Sequence, residues 1–224
     1  MIPELIVMLT HNDRTVVNAQ EVFDKAKDAP AKFWGFKEVG IPEEEMRKLV
    51  QSMKEAGKVT FLEIVAYTEE ECIEGALCGV RCGFDYLLGT LYFDSVLEIA
   101  QKAGMKYMPF VGEISGRPSV LDGTIEGIID EANGILKTKG VDGFDLLGYR
   151  FKGDAVELNA AFVKKVDAPV VLAGSVSSYQ RLDEVRATGA WAYTIGGAFF
   201  EGKFCDGDFA DQIKAVDAYM HRED

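Results

Sequence analysis

Short apolar segments alternate with amphipathic segments along the whole chain. Eight of the apolar segments have the composition of β-strands, and they begin near residues 5, 33, 59, 85, 107, 144, 170 and 191. A strand that is apolar at nearly every position is buried on both faces, which is typical of a parallel sheet covered by helices. The pattern therefore predicts an α/β fold.

The spacing of these segments narrows the fold further. Successive segments begin 21 to 37 residues apart, which leaves room for one helix after each strand. Eight such units predict a single-domain (β/α)8 barrel, a TIM barrel, over residues 1–224. A doubly wound sheet would contain fewer strands, and no G-x-G-x-x-G motif follows an early strand. The tripeptide Gly-Phe-Asp at residues 83–85 recurs at 143–145, a weak repeat that agrees with a repeated unit.

Several helix starts can be read from the residues that precede the amphipathic segments. Thr68 and Ser177 each begin a capping box. Asp94 is expected to cap the helix that Gly104 ends. Pro42, followed by three glutamates, is typical of a first helical turn. These signals place helices between the predicted strands.

Two charged residues stand at the ends of neighbouring strands, where barrels of this kind carry their chemistry. Lys37 ends the second predicted strand and Glu63 lies in the third. A buried, unpaired carboxylate is expensive, so Glu63 needs a partner if it points into the barrel, and Lys37 is the nearest candidate. Such a pair can move a proton at a carbon next to a carbonyl group. A structural ion pair is the alternative, and Lys37 has a second interpretation as the Schiff-base nucleophile of an aldolase.

The first predicted strand ends in a polar segment. His11 and Asp13 are candidate acid–base residues because they stand at the mouth of the predicted barrel. The competing interpretation is that residues 12–14 only cap the first helix. The sequence alone leaves both interpretations open.

The interval between the fifth and sixth strands is the longest, and residues 112–119 are polar and contain two glycines. Such a segment suits a loop that closes over a site, with Glu113 as a candidate base and Arg117 as a ligand for a second anionic group. An ordinary surface loop is the alternative. After the sixth strand, Arg150 is a candidate phosphate ligand and Tyr149 a candidate hydrogen-bond donor to substrate.

The ends of the last two strands carry the most specific signal. Phosphate sites in barrels use backbone N–H groups after strands seven and eight, where glycine lets the main chain approach the oxygens. This chain has Gly174 and Ser175 after the seventh strand, and Gly196, Gly197 and Ala198 after the eighth. We therefore expect these residues to bind phosphate; two ordinary strand-to-helix turns are the alternative.

The closing segment resembles the ribulose-phosphate-binding barrels, the superfamily of phosphoribosylanthranilate isomerase, sugar-phosphate epimerases and related decarboxylases. The matching motifs are Ala-Gly-Ser at 173–175, Gly-Ala at 189–190 and Ile-Gly-Gly-Ala at 195–198. Residues 70–72 and 83–90 are similar to the N-acetylmannosamine-6-phosphate epimerases. That family has a glutamate before the glycine of its penultimate loop, where this chain has Ala173. The resemblance thus implies the phosphate site and not the epimerase reaction.

Composition excludes several classes of protein. The formal charge of −13, from 37 acidic and 24 basic residues, disfavours nucleic-acid binding. No apolar run is long enough to span a membrane, and residues 1–4 lack the basic region of a signal peptide. The four cysteines form no metal-ligand pattern and are expected to be reduced, buried thiols. We therefore expect a cytoplasmic protein with no metal site; no cofactor is predicted, with Mg²⁺ and a flavin left open.

Two classes of function agree with these features. The first is a small enzyme that isomerises, epimerises or cleaves a phosphorylated sugar or a related phosphometabolite. The second is a non-catalytic, phosphometabolite-sensing barrel similar to the glycerol-3-phosphate-responsive antiterminators. A regulator of that kind must contact RNA, which the net charge disfavours. The partner expected in either case is a small phosphorylated metabolite, and a homo-oligomer is compatible with the sequence.

Overall fold

Each predicted strand is present in a computed structural model of the chain, which describes residues 2–223. The barrel strands are β1 Glu4–Met8, β2 Phe33–Lys37, β3 Val59–Ile64, β4 Tyr86–Gly89, β5 Lys106–Met108, β6 Phe144–Leu146, β7 Val170–Leu172 and β8 Ala192–Ile195. The helices are α1 Ala19–Ala26, α2 Glu43–Glu55, α3 Glu69–Cys82, α4 Asp94–Ala103, α5 Ile125–Lys139, α6 Ala155–Lys165, α7 Tyr179–Thr188, α8 Gly197–Phe200 and α9 Phe209–Met220, with a 3₁₀ turn at Gly148–Arg150. None of the helices within residues 2–223 is both long enough and apolar enough to cross a membrane.

The eight strands form one parallel sheet that closes on itself. Their order is β6-β7-β8-β1-β2-β3-β4-β5, so β5 and β6 are the two edges. Two backbone hydrogen bonds join those edges: Asp142 N donates to Tyr107 O at 2.9 Å, and Asp145 N donates to Pro109 O at 3.0 Å. The predicted (β/α)8 barrel is thereby confirmed.

The alternation of side chains along the strands divides the apolar residues between two cores. One core lies between the strands and the surrounding helices. The other fills the inside of the barrel and is built from Ile6, Met8, Phe33, Phe61, Leu88, Met108, Val171 and Ala192. At the amino end of the strands, the rings of Phe33, Phe61, Tyr86 and Trp191 lie with neighbouring centroids 4.5 to 5.7 Å apart. Aromatic side chains therefore fill the interior at this end of the barrel.

The helix starts agree with the sequence to within one residue. Thr68 caps α3 as predicted, because its side chain accepts a backbone N–H of the first turn. Ser178 rather than Ser177 caps α7. Asp94 is the first residue of α4 and not its cap, and its carboxylate pairs with Lys139.

Two antiparallel hairpins stand at the carboxyl ends of the barrel strands. The first pairs Thr10–His11 with Arg14–Thr15, between β1 and α1. The second pairs Glu113–Ser115 with Val120–Asp122, between β5 and α5. The long segment that the sequence predicts as a loop is therefore largely a hairpin, whose backbone groups pair with each other.

The repeated tripeptide does not place its two aspartates equivalently. Asp85 precedes β4 at the amino end of the barrel, where it accepts hydrogen bonds from the backbone N–H and the hydroxyl of Thr60, both at 2.8 Å. It also pairs with Lys54 at 2.9 Å. Asp145 lies within β6 and is completely buried. The similarity of sequence does not extend to the environment of the carboxylate.

Replacing Asp85 with alanine is expected to destabilise the barrel. The buried Thr60 N–H loses its carboxylate acceptor, which costs about 1–3 kcal/mol. Chemical denaturation measures this loss. Asp24→Ala, which removes an exposed carboxylate, serves as the control and should change the free energy of unfolding by less than about 0.5 kcal/mol. Equal losses in the two variants would contradict a specific role for Asp85.

Candidate active site

A cavity of about 820 Å³ opens at the carboxyl ends of the strands. Its lining brings together candidate site residues that are far apart in the sequence. Eleven of the thirteen residues proposed from the sequence line it: His11, Asp13, Lys37, Glu63, Arg117, Arg150, Gly174, Ser175, Gly196, Gly197 and Ala198. The other two, Glu113 and Tyr149, lie outside the lining.

Lys37 is held among carboxylates at the end of β2. Its side chain is only 7% exposed, and Nζ lies 2.6 Å from Asp13 Oδ1 and 3.4 Å from Glu63 Oε1. Burial lowers the pKa of Lys37, but Glu63 and Asp13 outweigh burial and raise this pKa above its ordinary value. Lys37 is therefore an ammonium ion at neutral pH. This charge disfavours the Schiff-base interpretation, because a nucleophilic lysine must be neutral.

Asp13 reaches the cavity because it lies in a tight hairpin turn. His11 pairs with Arg14, so that Asn12 and Asp13 form the two-residue turn, with φ angles of 51° and 62°. Positive φ at both positions is the signature of a type I′ turn, and asparagine and aspartate tolerate it better than most residues. The interpretation that residues 12–14 cap the first helix is wrong, since α1 begins at Ala19.

Thr15 fixes the first hairpin to the end of β2. Its Oγ1 donates to Lys37 O at 2.7 Å and accepts from Lys37 N at 3.0 Å. This one hydroxyl thus holds the hairpin that carries Asp13 against the strand that carries Lys37. The short Lys37–Asp13 contact follows from this arrangement.

Glu63 enters the cavity from β3, as strand alternation predicts. Its neighbours Leu62 and Ile64 pack in the outer core, whereas Phe61 packs inside the barrel on the same face as Glu63. The side chain of Glu63 is 12% exposed and pairs with Lys37, which lies opposite it in the β2–β3 register. The predicted pairing of Glu63 with Lys37 is confirmed.

Asp145 is a buried acidic residue inside the barrel that the sequence analysis missed. It is completely buried, and neither of its carboxyl oxygens has a hydrogen-bond partner among residues 2–223. Its neighbours Phe144 and Leu146 belong to the outer core, so Asp145 faces the inside of the barrel. Burial, and then Glu63, raise its pKa well above the ordinary value, with Lys37 opposing them. We therefore treat Asp145 as a neutral carboxylic acid at neutral pH.

A signal for Asp145 was present in the sequence. It is the acidic residue inside the short apolar segment of β6, and strand alternation turns it away from the outer core. The same argument identified Glu63. The repeated tripeptide indicated only that the sequence around Asp145 is similar to that around Asp85, not that Asp145 faces the inside of the barrel.

The two glycine-containing turns, at residues 174–175 after β7 (the β7 turn) and 196–198 after β8 (the β8 turn), line the cavity. Gly174 and Ser175 have φ angles of 86° and 53°. A Cβ on Gly196 would lie 2.5 Å from Thr10 Oγ1, so that turn has no room for a side chain. The backbone N–H groups of Ser175, Gly197 and Ala198 find no acceptor within residues 2–223. All three residues line the cavity.

Arg150 lies beside the first of these turns. A Cβ on Gly174 would be 2.8 Å from Arg150 Cγ, so the missing side chain makes room for the arginine. Arg150 Nη1 lies 3.4 Å from Ser119 O and 4.0 Å from Asp13 Oδ1. The guanidinium group therefore stands between the β7 turn and the cluster formed by Lys37, Asp13 and Glu63, which we call the Lys37 cluster.

His11 stands beside the β8 turn, at the cavity rim. Its Nε2 lies 3.5 Å from Glu201 Oε1, and its side chain is 34% exposed. A Cβ on Gly197 would contact only His11, at 3.5 Å, and Glu201, at 3.8 Å. A side chain introduced at position 197 would thus point between these two groups.

The two remaining candidates occupy other positions. Glu113 is exposed at the start of the second hairpin, opposite Asp122. Tyr149 is buried, with the guanidinium carbon of Arg181 4.2 Å from its ring centroid, and its hydroxyl donates to Arg181 O at 3.5 Å. Packing against α7 explains Tyr149 without a ligand.

The cysteines and acidic residues have no metal-site arrangement. Within residues 2–223, no group of three or more His, Cys, Asp and Glu side chains is placed to hold a metal ion. The four cysteines are free thiols. Burial raises the pKa of the Cys72 thiol to about 11 and that of Cys78 to about 12, so these thiols are protonated at neutral pH.

No protein-family model and no curated protein matches the chain. Solved structures do match it. Orotidine 5'-phosphate decarboxylase from Pyrococcus horikoshii is 13% identical, with a TM-score of 0.70 over 98% of this chain and 100% of the other. N-acetylmannosamine-6-phosphate 2-epimerase from Clostridium perfringens is 16% identical, with a TM-score of 0.63 over 87% and 86% of the two chains. A glycerol uptake operon antiterminator regulatory protein from Listeria monocytogenes is 18% identical, with a TM-score of 0.58 over 85% and 90%.

These likenesses concern the fold. The chain shares the (β/α)8 barrel fold of these proteins. The three proteins are named for different functions, and identities of 13 to 18% extend none of these functions to this chain.

Asp145→Asn is expected to reveal a buried neutral acid through the pH dependence of stability. The unfolded chain releases the Asp145 proton above about pH 4, whereas the folded chain retains it because the pKa is raised. The wild type therefore loses about 1.4 kcal/mol per pH unit relative to the variant as pH rises from 4 toward the folded pKa. Denaturation at a series of pH values measures the difference. A difference that does not change with pH would show that Asp145 is ionised in the folded protein.

Proposed function

We propose that this protein is an enzyme that moves a proton at a carbon next to the carbonyl group of a phosphorylated sugar or related phosphometabolite, as an isomerase or epimerase. One observation carries the proposal. The ammonium group of Lys37 is held between Asp13 and Glu63 in a cavity that also contains the two glycine-containing turns.

Three features support phosphate binding at the β7 and β8 turns. The N–H groups of Ser175, Gly197 and Ala198 have no acceptor within residues 2–223. Arg150 lies beside Gly174, where its charge assists anion binding. In a protein of formal charge −13, cationic groups on the cavity lining also attract an anionic ligand to this end of the barrel.

The Lys37 cluster supplies the groups that proton transfer requires. In the proposed step, Glu63 or Asp13 takes the proton from the carbon, the electron pair of that C–H bond moves onto the carbonyl oxygen, and Lys37 stabilises the enolate oxygen. Return of the proton to the opposite face gives an epimer. Return to the neighbouring carbon, with proton transfer between the two oxygens, gives an isomer.

Two other activities fit the same cavity less well. Aldol cleavage through a Schiff base on Lys37 is disfavoured by its raised pKa. A non-catalytic sensor of a phosphorylated metabolite would use the same anion-binding groups, but it gives no reason to bury Lys37 among carboxylates. Exchange of solvent deuterium into the bound metabolite separates catalysis from sensing.

A thermal-shift screen with sugar phosphates and inorganic phosphate tests the anion site. A ligand at a hundredfold excess over its Kd should stabilise the wild type by about 2.7 kcal/mol. Gly197→Asp places a carboxylate between His11 and Glu201 and should abolish the shift by repelling the anion. Gly197→Asn has nearly the same shape without the charge and should retain more of the shift. The phosphate site is wrong if no phosphate stabilises the folded wild type.

Exchange of solvent deuterium into the phosphoester selected by this screen tests the chemistry. Glu63→Gln keeps the shape of the side chain and should slow exchange by about 10²- to 10⁴-fold, the usual contribution of a general base. Glu38→Gln is the matched control. Its carboxylate is also at the end of β2 but bonds Val65 N at 3.2 Å and does not line the cavity. NMR in D₂O follows the exchange, and a wild type that binds the ligand without exchange would indicate a sensor.

A further inference from the structure

We infer that the substrate carries a carboxylate at the end remote from its phosphate, and that Arg117 binds this carboxylate. The inference rests on the proposed function, because it requires the phosphate of the same molecule to bind at the β7 and β8 turns. It adds a class of substrate, the phosphorylated sugar acids and related phosphorylated carboxylates.

Arg117 is held over the cavity by contacts on both sides of it in the sequence. Tyr67, just before α3, donates its hydroxyl to Gly116 O at 2.9 Å and lies 2.8 Å from Ser119 Oγ. Arg117 Nη2 itself donates to Val65 O at 2.9 Å. The guanidinium group is therefore fixed near the end of β3 rather than carried on a free loop.

The charge of Arg117 is not balanced by the protein. Its contact with Val65 O is the one hydrogen bond or ion pair that its side chain makes within residues 2–223. Lys37, by comparison, has two carboxylates within 3.4 Å, and Arg150 approaches Asp13. In a chain with 37 acidic residues, an arginine on the cavity lining without a carboxylate is a cation available to a ligand.

The position of Arg117 in the barrel sets the shape of that ligand. In the strand order, β3 and β7 are four strands apart and thus stand opposite each other in the closed barrel. A molecule that contacts Arg117 and the β7 turn crosses the cavity, and Glu63 on β3 lies on the cavity lining with them. The ligand therefore has an anionic group at each end and its reacting carbons between them.

The donors near Arg117 favour a carboxylate over a second phosphate. One Nη2 hydrogen is engaged by Val65 O, which leaves the other Nη2 hydrogen and the hydrogen parallel to it, on Nε or Nη1, as a planar pair. Such a pair matches the two oxygens of a carboxylate. The hydroxyls of Tyr67 and Ser119, which hold the Arg117 segment, are bonded to each other and to Gly116 O, so they add no free donors for a bulkier dianion.

Binding of a matched pair of phosphoesters by calorimetry tests the inference. 6-Phosphogluconate and sorbitol 6-phosphate share a six-carbon chain and differ in carrying a carboxylate or a hydroxymethyl group at the far end. The wild type should bind 6-phosphogluconate about 10- to 100-fold more tightly, the usual worth of a hydrogen-bonded charge pair. Arg117→Gln should remove most of this preference and leave the Kd of sorbitol 6-phosphate nearly unchanged.

Arg14→Gln is the control for long-range charge. Arg14 also lines the cavity, and its loss removes the same charge without removing the proposed contact, so the preference should remain. Equal affinity of the wild type for both probes, a preference that survives in Arg117→Gln, or tighter binding of fructose 1,6-bisphosphate than of 6-phosphogluconate would overturn the carboxylate assignment. If the wild type binds none of these probes, the phosphate site is overturned as well. Failure of the carboxylate assignment alone is thereby distinguished from failure of the phosphate site.

Discussion

The ammonium group of Lys37 is the charge on which the organisation of the cavity depends. Asp13 and Glu63 pair with it directly, and Asp145 lies within its electrostatic reach. Buried carboxylates without a cation would strongly destabilise a barrel of this size, whereas the single ammonium group of Lys37 pairs with two of them. The third, Asp145, avoids the penalty by remaining protonated. Removing Lys37 alone would leave several acids uncompensated, so the lysine and the carboxylates belong together structurally as well as chemically.

Polarity inside the barrel changes from one end to the other. Inside the barrel, aromatic rings around Phe61 fill the amino end, Met8 and Leu88 continue the apolar core, and the Lys37–Glu63 pair lies near the carboxyl ends of β2 and β3. The Lys37 cluster therefore has the apolar interior of the barrel on one side and the open cavity on the other. Such a position limits solvent to one side, where a ligand could displace it, and it strengthens electrostatic interactions within the cavity.

The fold by itself leaves the function undecided. Proteins named as a decarboxylase, an epimerase and an antiterminator share it with this chain at identities below 20%. The distinguishing features are the side chains that this sequence places on the common scaffold. Lys37 with its carboxylates supports proton transfer, the glycine-containing turns support phosphate binding, and Arg117 supports a second anionic group.

The sequence by itself determined the strands, the barrel and the Lys37–Glu63 pair, because apolar periodicity and strand alternation are local properties. It also predicted the two glycine-containing turns that line the cavity. The tertiary structure decided that Asp13 is the closest partner of Lys37, since this contact depends on a turn with positive φ and on Thr15 reaching a different strand. It decided as well that Asp145 is buried within the electrostatic influence of Lys37 and Glu63 and that Glu113 lies outside the cavity lining. Distances between groups on separate elements are set by barrel closure and packing, which no local pattern of residues encodes.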